Sequence, residues 1–145
     1  MVINTHSVAG RIAIGKFIGL VIGLIAVLVL PYAGMPAISM FSIGMVVMFM
    51  LMGAMIGFIG QFDHHPLFGF KMRWWLRGPV VGFAFFLMFA LLTYEEISLM
   101  MESPLVAWTG FSSPWWILLD GIFYGGLIGY IQTTSSGEGS DLPLS

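Results

Sequence analysis

Long apolar runs alternate with short polar breaks along this chain. The first run extends from Ile12 to Leu30, is interrupted only by Lys16, and is closed by Pro31. Tyr32 to Met35 lie between Pro31 and Pro36, which marks a tight connection, and a second run follows from about Ala37 to Gly60. From Gln61 to Gly78 the pattern fails: Asp63, His64, His65, Pro66, Lys71, Arg73 and Arg77 are interleaved with Phe68, Phe70, Trp74 and Trp75. A third run opens at Pro79, whose missing N–H has no partner to lose in a first helical turn. A connection with Glu102, Pro104 and Trp108 then leads to Pro114, and a last run reaches about Gln132.

A bilayer core of about 30 Å takes roughly 20 apolar residues per helix, and lipid offers the backbone no hydrogen-bond partner, so each crossing segment must satisfy itself. The runs therefore predict an all-α integral membrane domain over residues 1–132, with four transmembrane helices near 12–30, 37–60, 79–98 and 115–132. The short connections make two antiparallel hairpins of them. The polar, Gly/Ser-rich stretch 133–145 reads as a disordered cytoplasmic tail. The first run is longer than a signal-peptide core and Leu30-Pro31-Tyr32-Ala33-Gly34 has no small-x-small cleavage pattern, so it reads as a retained helix. Arg11, Lys16, Lys71, Arg73 and Arg77 all fall on one side of this arrangement, and the outer connection carries only Glu95, Glu96 and Glu102. Short cytoplasmic loops hold the Lys and Arg excess, which places both termini inside and the protein in the cytoplasmic membrane.

Composition supports this picture: 59% of residues are hydrophobic, 8% are charged, and the mean hydropathy is +0.98. A net charge of −2, with no basic stretch to follow a phosphate backbone in water, excludes nucleic acid as a partner. The absence of cysteine removes disulfides, thiolate metal sites and thiol nucleophiles.

Candidate chemistry is sparse. Gly15, Gly19 and Gly23 in the first helix, Gly53 and Gly57 in the second, and Gly125 and Gly129 in the fourth recur at four-residue spacing. Each set makes a smooth face where another backbone can approach, within the chain or between chains. The segments Gly53–Ile59 and Gly125–Ile131 resemble each other, as in a faint internal repeat. Met45, Met48, Met52 and Met55 form one stripe. The pair Met48-x-x-x-Met52 with Gly53 and Gly57 resembles a motif of the eukaryotic copper-uptake family, which implies soft-metal binding. That family has three helices and further metal-binding segments without counterpart here, and methionine also fills gaps in apolar packing, so packing is the reading adopted.

Asp120 is the most informative residue, an acid about 9 Å along the last helix from Pro114 with no Lys or Arg in its half of the membrane. It reads either as a carboxyl hydrogen-bonded to Tyr124, Thr93 or Tyr94, or as an ion or proton site with Glu95 or Glu96 at its mouth. Lys16 can snorkel to the headgroups. His64 and His65 have ligand chemistry, but adjacent histidines are poorly placed to share one ion. Lys71, Arg73, Trp74, Trp75 and Arg77 read as an interfacial collar that attracts anionic lipid headgroups. No catalytic motif is present, so the chain is expected to be non-catalytic and without cofactor. The leading expectation is a self-associating or accessory subunit of a membrane complex. The alternative is an ion or proton conductor built on Asp120.

Overall fold

The computed structural model is built of helices; it describes residues 4–144 apart from 63, 65–68, 70, 72, 138 and 140. Helix α1 (Val8–Val29) runs into a 3₁₀ turn at Leu30–Ala33 and is followed by α2 (Met40–Ile59), α3 (Trp74–Leu92), α4 (Tyr94–Glu102) and α5 (Pro104–Ala107). A second 3₁₀ turn, Pro114–Trp116, leads into α6 (Ile117–Ser136). Among the described residues the only extended pairing is a single bridge between His64 and Lys71.

Three helical segments are long and apolar enough to cross a membrane: Val8–Ala33, Met40–Ile59 and Trp74–Leu92, with mean hydropathies of 2.7, 2.3 and 1.8. Helix α6 matches them in length at 20 residues, but Asp120, Gln132, Thr133, Thr134, Ser135 and Ser136 dilute its apolar character. Phe17, Leu24, Leu28, Leu51, Leu91 and Phe123 all stand exposed on the outside of the bundle. Such a surface is a liability in water and the ordinary one in lipid.

Several helix ends differ from those the apolar runs predict, each for a local reason. Helix α1 starts at Val8 because Ser7 Oγ accepts the Gly10 N–H at 3.0 Å. Helix α2 starts at Met40, where Ser39 and Ser42 cap each other's backbone N–H groups reciprocally. Helix α3 begins at Trp74, so Pro79 lies inside it and removes one internal bond instead of opening the helix. The segment expected to run on to residue 98 breaks at Thr93 (φ −129°), whose hydroxyl donates to Phe89 O at 2.8 Å. The chain turns there into α4, which buries Ile97 and Met101. Helix α6 extends past Gln132 to Ser136. Beyond it, the Gly139 N–H donates to Gly60 O at 3.0 Å. Pro143 O and Leu144 O accept from the Val8 and Ala9 N–H groups at 2.9 and 3.3 Å, donors that the start of α1 leaves without an intrahelical partner.

The helices associate as two close pairs, α1 with α2 and α3 with α6, which meet mainly through α2. Glycine sets both seams. A Cβ built on Gly53 would lie 2.6 Å from the carbonyl carbon of Gly15, and one on Gly19 would lie 2.6 Å from that of Phe49. In the other pair, a Cβ on Gly82 would lie 2.8 Å from the carbonyl carbon of Gly121, and one on Gly125 would lie 2.9 Å from Gly78 C and Gly82 Cα. Every glycine of the predicted faces, Gly15, Gly19, Gly23, Gly53, Gly57, Gly125 and Gly129, meets atoms of its own chain. Gly78, Gly82 and Gly121 complete the second seam, although the sequence reading did not single them out.

Candidate functional site

Two polar features interrupt the apolar body, one at each end of the bundle. The first is a knot of buried groups where α2 ends. Arg11 is 2% exposed, and its Nε and Nη1 donate to Gly57 O and Gln132 O, both at 3.4 Å. Arg77 is 4% exposed and donates from Nη1 to Gly60 O at 3.0 Å. Two guanidinium groups thus meet the last carbonyls of α2, where a helix leaves acceptors open and its dipole is negative. Gln132 is fully buried, and its Nε2 donates to Arg11 O at 3.2 Å and Gly53 O at 2.9 Å, joining α6 to both α1 and α2. Its Oε1 and the Ser136 hydroxyl find no partner among the described residues.

This knot redistributes the expected collar. Lys71, Arg73, Trp74 and Trp75 are exposed, with the Trp74 ring 5.6 Å from that of Tyr130, but Arg77 is buried in the interior. Its guanidinium covers the Gly60 carbonyl at the end of α2 instead of facing the headgroups. His64 is exposed, while His65 and Asp63 lie outside the described residues.

The second feature, at the opposite end, is a cavity of about 370 Å³ lined by all six helices and the first 3₁₀ turn. Helix α1 supplies Ile25, Ala26 and Val29, and α2 supplies Phe41, Met45, Met48 and Phe49. Phe86 and Phe89 enter from α3, and the short elements α4 and α5 cover the end with Ile97, Met100, Leu105 and Val106. Asp120 and Tyr124 of α6 are its only side chains with an oxygen. They are one helical turn apart and so share a face. Among the described residues neither makes a side-chain hydrogen bond, and Thr93, one expected partner of Asp120, bonds to Phe89 O instead. Tyr94 packs on the Trp115 ring at 5.8 Å. Glu95 and Glu96 do not line the cavity.

The wall beside Asp120 is aromatic. The Tyr124 ring lies 5.4 Å from Phe49 and 6.4 Å from Phe86, which are 5.6 Å from each other, and Phe41 sits 5.4 Å from Phe89. Ile25, Val29, Leu105 and Asp120 are the lining residues that also reach the surface, so the mouth opens on the side of the bundle between α1, α5 and α6. Towards the arginine end the bundle is filled: Met52, Ile56 and Ile128 are at most 2% exposed, and Gly129 lies against Ile56. Of the methionine stripe, Met45 and Met48 line the cavity, Met52 belongs to this filled core, and Met55 faces outward. From Asp120 to Gln132 is about 18 Å along α6 at 1.5 Å per residue, and among the described residues no polar side chain bridges that distance through the core.

Neither Arg11 nor Gln132 was picked out by sequence reasoning, though a signal existed. Arg11 precedes Gly15, Gly19 and Gly23 at the same four-residue step, and Gln132 follows Gly125 and Gly129 on the same face. A polar residue in register with a packing face must be buried with it. Comparison of the chain with protein families, with curated proteins and with solved structures finds no match.

Proposed function

We propose that this protein crosses the cytoplasmic membrane four times as two antiparallel hairpins, α1–α2 and α3–α6, with both termini inside, and acts without catalysis by holding a small lipophilic molecule in the cavity of its outer half. The basic residues at the α1 and α3 starts support the orientation. The aromatic and apolar exterior of α6, including Leu119, Phe123, Leu127 and Tyr130, supports a fourth span despite its polar ends.

The observation that carries the reading is the cavity itself. Its volume falls within the range of small-molecule sites, its wall is apolar apart from the carboxyl of Asp120 and the phenol of Tyr124, and its mouth opens on the side of the bundle. The accessory-subunit reading rests on small size, the lack of a soluble domain and the abundance of glycine faces; the glycines of those faces make contacts within the chain, which weakens the last of these supports. A conductor needs a polar route, and among the described residues the core between Asp120 and Gln132 holds Met52, Ile56 and Ile128, which favours the binding reading over it.

Ala26 lines the cavity, so Ala26→Phe should fill it. Native mass spectrometry of the protein released from gentle detergent should find one small lipophilic molecule retained per wild-type chain. Ala26→Phe of matched thermal stability should lose it. Equal retention by the two proteins, or none by wild type even after incubation with lipophilic probes, overturns the reading. Stoichiometric co-purifying proteins would restore the accessory-subunit reading in its place.

A further inference from the structure

Resting on the cavity reading above, we infer that the molecule held there is a hydrophobic organic cation, its charge set against Asp120 and its body against the rings of Phe49, Phe86 and Tyr124. The cavity supplies an acid whose carboxylate meets no hydrogen-bond donor among the described residues, although Tyr124 stands one turn away. The chain supplies no counter-charge at this end, since its Lys and Arg residues are Arg11, Lys16, Lys71, Arg73 and Arg77, all at or near the other. A carboxylate in an apolar site is costly unless it is paired, so the ligand that fits best is one that brings the positive charge with it.

The rest of the wall selects the kind of cation. A hard cation such as calcium or magnesium takes six or more oxygens, and the cavity offers one carboxylate and one phenol; the thioethers of Met45, Met48 and Met100 in its wall also serve as ordinary apolar packing. An ammonium or phosphonium carries its own hydrocarbon shell and needs no such set. Aromatic faces attract it through their quadrupoles, and Phe49, Phe86 and Tyr124 are grouped within 5.4–6.4 Å of one another beside the acid. The aliphatic remainder, Ile22, Ile25, Ala26 and Val29 from α1 with Leu105 and Val106 from α5, accommodates the apolar body. Asp120 lies at the mouth as well as in the wall, so a cation arriving through lipid meets the carboxylate on entry.

The test is calorimetric titration of the purified full-length protein in detergent with tetraphenylphosphonium and, as a neutral probe of similar bulk that can still donate a hydrogen bond, triphenylmethanol. Wild type should bind the cation at least tenfold more tightly than the alcohol. Asp120→Asn should abolish that preference, Asp120→Glu should restore part of it, and Ala26→Phe should abolish binding of both probes. Thermal unfolding of each variant checks that it is folded. Equal affinity for the two probes, or a preference that survives Asp120→Asn, overturns the cation assignment and leaves the cavity reading standing. Binding of neither probe, or binding indifferent to Ala26→Phe, overturns both together.

Discussion

If glycine seams hold the helix pairs together, the same substitution should have opposite outcomes at two helical glycines, one facing backbone and one facing only a ring edge. In Gly82→Ala the new methyl carbon would fall 2.8 Å from the carbonyl carbon of Gly121 and 2.9 Å from Gly125 Cα. Both are backbone atoms, so no rotamer change relieves the clash and α3 must move away from α6. Restoring an ordinary carbon contact of about 3.5–4.0 Å takes a displacement of roughly 1 Å, which forfeits between a quarter and a half of the dispersion well for every atom pair along the seam. Overpacking costs of about 1–3 kcal/mol are typical, against a gain of about 1 kcal/mol from replacing glycine by alanine in a helix. Because the obstacle is main chain on both sides, we place Gly82→Ala at the upper end, a net loss of about 2 kcal/mol. In Gly44→Ala the methyl would meet only the ring edge of Phe89, at 3.9 Å. That is ordinary contact, and the helix-propensity gain of up to about 1 kcal/mol should survive. Reversible unfolding in mixed micelles, driven by sodium dodecyl sulfate and followed by circular dichroism, compares the two directly. Equal stabilities, or a Gly82→Ala protein as stable as wild type, would refute the seam as the source of helix association.

Two further outcomes follow from the same geometry. Gln132→Leu keeps the volume but removes the bonds to Arg11 O and Gly53 O, and should lower stability in the same titration by about 1–2 kcal/mol, since interhelical bonds in membranes contribute about 0.6 kcal/mol each on average and more when well buried; no loss would make the knot energetically idle. The chain has no cysteine, so single substitutions report topology cleanly: Ser112→Cys should react with an impermeant maleimide in intact cells, whereas His6→Cys and His64→Cys should react only after permeabilisation, and the reverse pattern would invert the orientation.

Much of this architecture is legible in the sequence because lipid makes it so. Apolar runs closed by Pro31 and opened near Pro114 mark helices whatever their neighbours do. The ends were harder to read, because they depend on single side chains. Thr93 splits one expected helix into α3 and α4, and Ser39 with Ser42 delays the start of α2. Asp120 and Tyr124 could be named from their rarity and spacing, and the structure brings both to one cavity. Its aromatic wall could not be named, since Phe41, Phe49, Phe86 and Phe89 come from two helices whose relative rotation no periodicity reports, in a chain with 13 phenylalanines. Arg11 and Arg77 misled for a related reason. Basic residues near a membrane surface usually face the headgroups, whereas these two turn inward and donate to backbone carbonyls at the ends of α2 and α6.

The two helix pairs use one packing solution twice, and they depart from it at the end that holds the cavity. Gly15 and Gly19 stand to Gly53 and Phe49 as Gly78 and Gly82 stand to Gly125 and Gly121, with the same pairs in contact in each half. Gly60 and Gln132 lie an equal step beyond Gly53 and Gly125, and each receives an arginine from the other pair: Arg77 donates to Gly60 O and Arg11 to Gln132 O. At this end the halves are locked to one another by matched exchanges. At the other end the match lapses. Asp120 stands where α2 has Met48, Gly121 where it has Phe49, and Phe86 of α3 where α1 has Gly23. Every one of those changes alters the cavity wall or the seam next to it: a thioether gives way to a carboxyl, a ring to glycine, and glycine to a ring. A bundle pinned by buried polar groups at one end can leave the other open and asymmetric without loosening its fold, which is the arrangement the proposed binding function calls for.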